Sequence, residues 1–122
     1  MKNFEVGKHI KSMLDVPNVS MYVKGKVFPL VANANTDFPF LVYRRSSYIP
    51  ENNKDFEGEK VNIEIAIAST KYIESLEIAN NVCDALNHKE DELIEDIMVM
   101  NQYEDYTDDT FLQYITIQVT IK

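Results

Sequence analysis

The 122-residue sequence contains one cysteine, three glycines and no tryptophan. A single cysteine, Cys83, cannot form an internal disulfide, so the sequence does not indicate a small secreted scaffold held by disulfide bonds. Three glycines leave little room for a glycine-rich phosphate loop. No apolar run approaches the roughly 18 residues of a transmembrane helix, and the first eight residues lack the apolar core of a signal peptide. We therefore expect a soluble, intracellular chain.

Basic residues are scarce in the last third of the chain. Twenty acids against twelve bases give a formal net charge of −8. Residues 1–83 sum to zero, whereas the segment from Asp84 onward has ten acids and only two lysines. Binding to nucleic acid or to an anionic membrane depends on clustered Lys and Arg. We therefore expect neither sequence-specific nucleic acid binding nor membrane binding.

The length of the chain favours a single domain over residues 1–122. Apolar periodicity predicts a helix over 3–15, ended by Pro17, and a second helix from Ser69 or Thr70 to Leu86. Strands are predicted over 22–32, 38–49, 60–68, 93–103 and 110–121. The order α-β-β-β-α-β-β with half-apolar strands predicts an α+β two-layer sandwich. We expect a mainly antiparallel, mixed five-stranded sheet with two helices packed on one face.

Three local patterns refine this prediction. Pro29 cannot donate a ladder hydrogen bond, which places the first strand at a sheet edge or a bulge. Residues 50–59 are mostly polar and predict a long hairpin loop, and loops of this length are often functional. Residues 104–109 predict an acidic turn. The core stripe predicted for the second helix consists of Ile73, Leu76, Ala79, Cys83 and Leu86, with Val82 beside it.

The sequence has no group of residues typical of a catalytic or metal site. Cys83 falls on an apolar stripe, which favours a buried core thiol over a reactive one. His9 and His88 are the only histidines, and the sequence lacks zinc-ligand spacing. The acidic run at 104–109 lacks the central glycine of an EF-hand loop, so a solvated acidic face is favoured. We expect no enzyme activity, no cofactor and no metal.

Arginines and aromatic residues favour an interaction role. Neighbouring side chains of a strand point to opposite faces, so at most one of Arg44 and Arg45 faces a given surface. A cross-strand ion pair or a subunit contact is therefore favoured over an anion-binding clamp. The seven tyrosines and six phenylalanines fit either packing within the sheet or a protein interface.

Three segments of the chain resemble the small tail-completion or tail-terminator proteins of long-tailed bacteriophages and prophages. Lys26–Ala32 resembles the basic-aliphatic-aromatic-Pro start of that family's first strand, and Phe38–Tyr43 its Pro-aromatic-aliphatic-Val-Tyr second strand. Val61–Tyr72 and the residues that follow it resemble the family's third strand and helix. With the first helix and the closing strands, the resemblance covers nearly the whole chain. Family members often carry an aromatic residue where this chain has Ala66-Ile67-Ala68.

This resemblance implies a structural function without catalysis or a cofactor. Family members form rings, commonly hexameric, that cap the tail tube, stop its polymerisation and join it to the head connector. The implied partners are other copies of the chain, the tail tube protein and the head–tail connector protein. The implied location is the bacterial host cytoplasm during assembly and then the virion tail. Two alternatives stay open: a head-completion or neck connector protein of the same module, and a small non-catalytic ligand-binding domain.

A ring requires two different surfaces on each copy, because one copy's surface meets a different surface of its neighbour. We expect a subunit interface where the long loop adjoins the strand that carries the arginines. Its residues are Arg44, Arg45, Tyr48, Asn52, Asn53, Lys54, Asp55 and Phe56. The predicted acidic turn is expected to face a basic partner or the lumen of the ring, where it would repel DNA phosphates. Its residues are Glu104, Asp105, Asp108 and Asp109.

Overall fold

A computed structural model describes residues 2–50 and 58–122, which form one five-stranded sheet with helices on one face. The strand order is β1-β2-β3-β5-β4, in which β1 and β2 are parallel and every other pair is antiparallel. No helix in the described ranges is long and apolar enough to span a bilayer. The elements are a 3₁₀ turn (Lys2–Glu5), α1 (Val6–Met13), α2 (Pro17–Val23), β1 (Val27–Pro29), β2 (Phe40–Ile49), β3 (Lys60–Ser69), α3 (Tyr72–Leu86), β4 (Ile94–Thr107) and β5 (Thr110–Ile121).

The mixed five-stranded sheet agrees with the prediction, but the helix count and the element order do not. The described residues form three α-helices, because Pro17 begins α2 as well as following α1. Proline suits the first position of a helix, where its missing N–H would have no acceptor. Residues 22–26, predicted to begin the first strand, instead end α2 and turn through Lys24 and Gly25, whose φ values are 52° and 81°.

Pro29 lies on the edge strand β1, as predicted. The core between helices and sheet is built by alternation along the two central strands. In β3 the odd-numbered residues from Val61 to Ile67 are at most 1% exposed, and in β5 those from Ile115 to Ile121 are at most 3% exposed. They pack against Val6, Ile10 and Leu14 of the first helical segment, Val19 and Val23 of α2, and Ile78, Val82 and Leu86 of α3. No described helix covers the opposite face of the sheet.

The core stripe of α3 differs from the predicted one. Leu86 and Val82 are fully buried, but so is Ile78, whereas Ile73 is 63% exposed. Helix α3 carries two adjacent apolar stripes, and periodicity alone does not identify the one that faces the sheet. Cys83 lies on the other stripe, where it packs against the core but is half-buried and not fully buried as predicted. Burial raises the pKa of its thiol, which disfavours the reactive thiolate.

Strand β4 extends four residues beyond the predicted end at residue 103. The chain reverses at Asp108 and Asp109, whose φ values of 50° and 59° are left-handed. Short polar residues tolerate that conformation, which two-residue hairpins require. Acidic residues disfavour strands, but aromatic pairs across the hairpin offset this preference. The ring centroids of Tyr103 and Tyr114 are 4.6 Å apart, and those of Tyr106 and Phe111 are 4.7 Å apart.

Candidate assembly surfaces

The two arginines of β2 point to opposite faces of the sheet, as predicted. Arg44 pairs with Glu64 directly across the strand pair, with 3.2 Å between Nε and Oε1. Arg45 points to the helical side, where it donates to Asn3 Oδ1 and lies 4.5 Å from the centroid of the Phe4 ring. Arg44 is therefore held in the cross-strand ion pair. Arg45 is held by a neutral amide and an aromatic face.

Beside Arg45 lies an open groove of about 280 Å³ between the N-terminal 3₁₀ turn and the end of β1. Its apolar lining includes Phe4, Pro29, Leu30 and Tyr43. Leu30 is 70% exposed and Phe4 66% exposed, so the groove opens to solvent. Its shape depends on a glycine in α1: a Cβ at Gly7 would lie 3.1 Å from Cε2 of the Tyr43 ring.

Tyr48 packs against the edge of the core, on the same strand as the arginines. The other predicted interface residues, Asn52, Asn53, Lys54, Asp55 and Phe56, lie outside the described residues. The described part of the predicted interface is therefore the β2 segment from Arg44 to Tyr48, next to the groove. Strand β1 pairs only with Leu41–Tyr43, so this segment of β2 has no strand neighbour on its outer side among the described residues.

The four acids predicted to form one turn do not share one face. Glu104 and Asp105 lie in β4, opposite Gln113 and Leu112, so their side chains leave opposite faces of the sheet. Only Asp108 and Asp109 form the turn. All four are exposed. The acidic surface therefore runs along the outer edge of β4 and around the hairpin tip.

A buried polar cluster, which the sequence analysis missed, attaches the hairpin to α3. Gln113 is 7% exposed on the core face of β5. Its Nε2 donates to Ser75 Oγ at 3.3 Å and to Glu104 Oε1 at 3.1 Å. The Tyr72 hydroxyl donates to the same carboxylate at 3.0 Å, and this bond raises the pKa of Tyr72. Glu104 is thus a structural acceptor, not a free surface charge.

A second contact that the sequence analysis missed joins α1 to the loop before β4. His9 Nδ1 lies 2.6 Å from Asp91 Oδ2, and Asp91 Oδ1 accepts the main-chain N–H groups of Leu93 and Ile94 at 2.8 Å each. Burial raises the pKa of Asp91, but these hydrogen bonds outweigh burial and hold the pKa below its usual value. Glu92 Oε1 lies 3.9 Å from the same nitrogen. The three side chains are close enough to share a cation, yet the Asp91 oxygens already have protein donors.

A hollow of about 450 Å³ lies between α1 and α2, and its size suits a small ligand. The charged side chains at its rim, Lys8, Lys11 and Asp15, are exposed and do not converge on a buried point. A small-molecule site needs a few precisely placed polar groups inside an apolar pocket. This hollow does not favour the ligand-binding alternative.

Comparison with known proteins identifies a fold likeness and no relative in sequence. No protein-family model matches the chain. No curated protein matches it. Among solved structures, the fold is similar to a chain in the virion of a native gene transfer agent particle, with a TM-score of 0.72. The alignment covers 92% of this chain and 90% of the other at 10% sequence identity, so the two chains share nearly their whole fold.

Proposed function

We propose that this chain is a virion structural protein, and specifically a tail terminator. In this role, copies form a ring that caps the tail tube, stops its polymerisation and joins it to the head connector. The chain then assembles in the bacterial host cytoplasm, becomes part of the virion tail and performs no catalytic step. Its partners are other copies of itself, the tail tube protein and the connector protein.

The observation that carries this proposal is the fold likeness to a chain of a gene transfer agent virion over nine-tenths of both chains. The three segments that resemble phage tail terminators lie in β1, β2 and the β3–α3 unit, which together form one side of the sheet and the helix that follows it. The sequence resemblance and the fold likeness both support a role in virion assembly.

The surface of the protein also supports an assembly role. One edge of the sheet carries an apolar groove beside the predicted interface residues Arg44, Arg45 and Tyr48. The other edge carries an exposed acidic and aromatic hairpin. Residues Asn52 to Phe56 remain part of the proposed subunit interface because they continue the chain directly from β2. Two unlike edges are what a ring with a heterologous interface uses.

The test is to polymerise purified tail tube protein from the same phage or prophage with increasing amounts of this chain. Negative-stain images give the tube lengths and show the tube ends. We expect shorter tubes, each with a ring of density at one end, and no effect of a heat-unfolded sample at equal concentration. A neck protein would bind the connector and leave tube lengths unchanged. Tubes of unchanged length with bare ends overturn the terminator proposal.

A further inference from the structure

We propose that copies of this chain join head to tail, with the acidic edge of one copy seated on the basic edge of the next. The acidic edge is β4 from Met98 to the turn at Asp109. The basic edge is β1 with its flanking residues Lys24, Lys26, Leu30 and Val31, and the groove beside Arg45. The inference rests on the self-association in the proposed function and specifies the two surfaces that make the contact.

Strand directions suit such a contact. Strands β1, β2 and β5 run one way, whereas β3 and β4 run the other way. If neighbouring copies are related by rotation about an axis along the strands, β4 of one copy lies antiparallel to β1 of the next. The two edges lie four strand spacings apart, about 19 Å, so one copy can contact two neighbours at once.

Residues of the two edges that lie at the same height along the strands are also complementary in charge. The register places Val27 level with Glu104 through the row Val27, Leu41, Ile67, Gln113 and Glu104. Lys26 directly precedes Val27, so in an antiparallel contact it comes level with Asp105. Its ammonium also donates to the main-chain oxygen of Asp37 at 2.8 Å. A basic group thus faces an acidic one without any shift between the copies.

Charge and apolar surface agree with this pairing. Residues 1–50 carry seven bases and three acids, and the segment from Asp84 onward carries the whole net charge of −8. Each edge also exposes large apolar side chains in the middle of the charges. On the basic edge, Leu30 and Val31 are 70% and 77% exposed, and on the acidic edge Met100 is 52% exposed. Met100 lies between residues that are level with Arg44 and Arg45, and therefore level with the groove.

The contact must be made by side chains and not by a shared hydrogen-bond ladder. On the open side of β1, the N–H of Val27 already donates to Gly25 at 2.9 Å, and Pro29 has no N–H. An edge strand without free donors resists indiscriminate strand addition. Side-chain charges and the apolar groove therefore select the partner edge, and charge reversal can test the pairing.

Two variants place like charges across the contact, one on each edge. Met100→Lys with Asp105→Lys adds three positive charges and sets lysines level with the groove beside Arg45 and with Lys26. Lys26→Glu with Val31→Glu adds three negative charges and sets a glutamate level with Asp105. The control for the first variant is Glu90→Lys with Glu92→Gln, which adds the same three positive charges in the loop before β4. Circular dichroism melting confirms that each variant is folded, and light scattering with sedimentation velocity gives the mass.

We expect the wild type and the control to assemble and each edge variant alone to be monomeric. Like charges across the contact cost several kcal/mol, so the concentration needed for assembly should rise at least about a hundredfold. An equimolar mixture of the two variants should assemble again, since the lysines of one variant then meet the glutamates of the other, and the alternate contacts are those of the wild type. Edge variants with wild-type mass, a mixture that stays monomeric, or a monomeric wild type at high concentration would overturn the inference. A wild type that assembles through these edges but leaves tubes uncapped would overturn only the terminator function.

Discussion

Replacing Gln113 by alanine tests whether the buried cluster fixes the hairpin to α3. The substitution removes one hydrogen bond to a carboxylate and one to a hydroxyl. Bonds to charged groups contribute about 1.5–3 kcal/mol and neutral ones about 0.5–1.5 kcal/mol. Glu104 is exposed, so water replaces part of its loss, and we expect the free energy of unfolding to fall by about 2 kcal/mol.

Urea unfolding followed by circular dichroism measures this change. With a slope of about 1–3 kcal/mol per molar urea, the midpoint should fall by roughly 1 M. The matched control is Gln118→Ala on the same strand, because Gln118 lies on the opposite face and makes one bond of 3.3 Å, to Asn62. That variant should lose at most about 0.5 kcal/mol. Equal losses in the two variants, or no loss for Gln113→Ala, would show that the buried cluster does not fix the hairpin to α3.

Two further predictions concern the core and the contact between α1 and the loop before β4. Ile78→Ala should lower the free energy of unfolding by about 2–5 kcal/mol because Ile78 is fully buried, whereas Ile73→Ala should leave it nearly unchanged. Thermal melts that show a larger loss for Ile73→Ala would contradict the observed orientation of α3. Asp91→Asn should destabilise the protein at pH 7, since the folded-state pKa of Asp91 is lowered and a lowered carboxyl pKa stabilises the fold above the unfolded value of about 3.9. This contribution is lost as the pH falls through the lowered pKa, so the gap in urea midpoint between wild type and variant should close toward pH 3. A gap unchanged between pH 7 and pH 3 would exclude this role, and Glu92→Gln, whose carboxylate is 83% exposed, is the control.

Local patterns in the sequence predict much of the sheet. Alternation in β3 and β5 identifies their core faces, and Pro29 identifies an edge strand. The patterns fail where one residue type suits two structures. Pro17 suits both the end of one helix and the start of another, and α3 is apolar on two stripes, so the choice of Ile78 over Ile73 depends on tertiary packing.

For the candidate surfaces too, the sequence predicts features that depend on neighbouring residues and misses those that depend on residues far apart in the chain. The opposite orientation of Arg44 and Arg45 follows from strand geometry alone, and the sequence predicts it. The contact between His9 and Asp91 joins residues 82 positions apart, and no local pattern encodes it. The role of Gln113 depends on a register that brings Glu104 directly opposite.

The separation of charge between the two edges determines how the chain responds to ionic strength. At about 0.15 M salt the Debye length is about 8 Å, shorter than the roughly 19 Å between the edges. An approaching copy then interacts electrostatically with the edge that it meets, and the charges elsewhere on the molecule are screened. At about 0.01 M salt the Debye length is about 30 Å, and each copy senses the whole charge of −8 on the other. We therefore expect dilute salt to keep copies apart and physiological salt to favour the proposed contact between unlike edges.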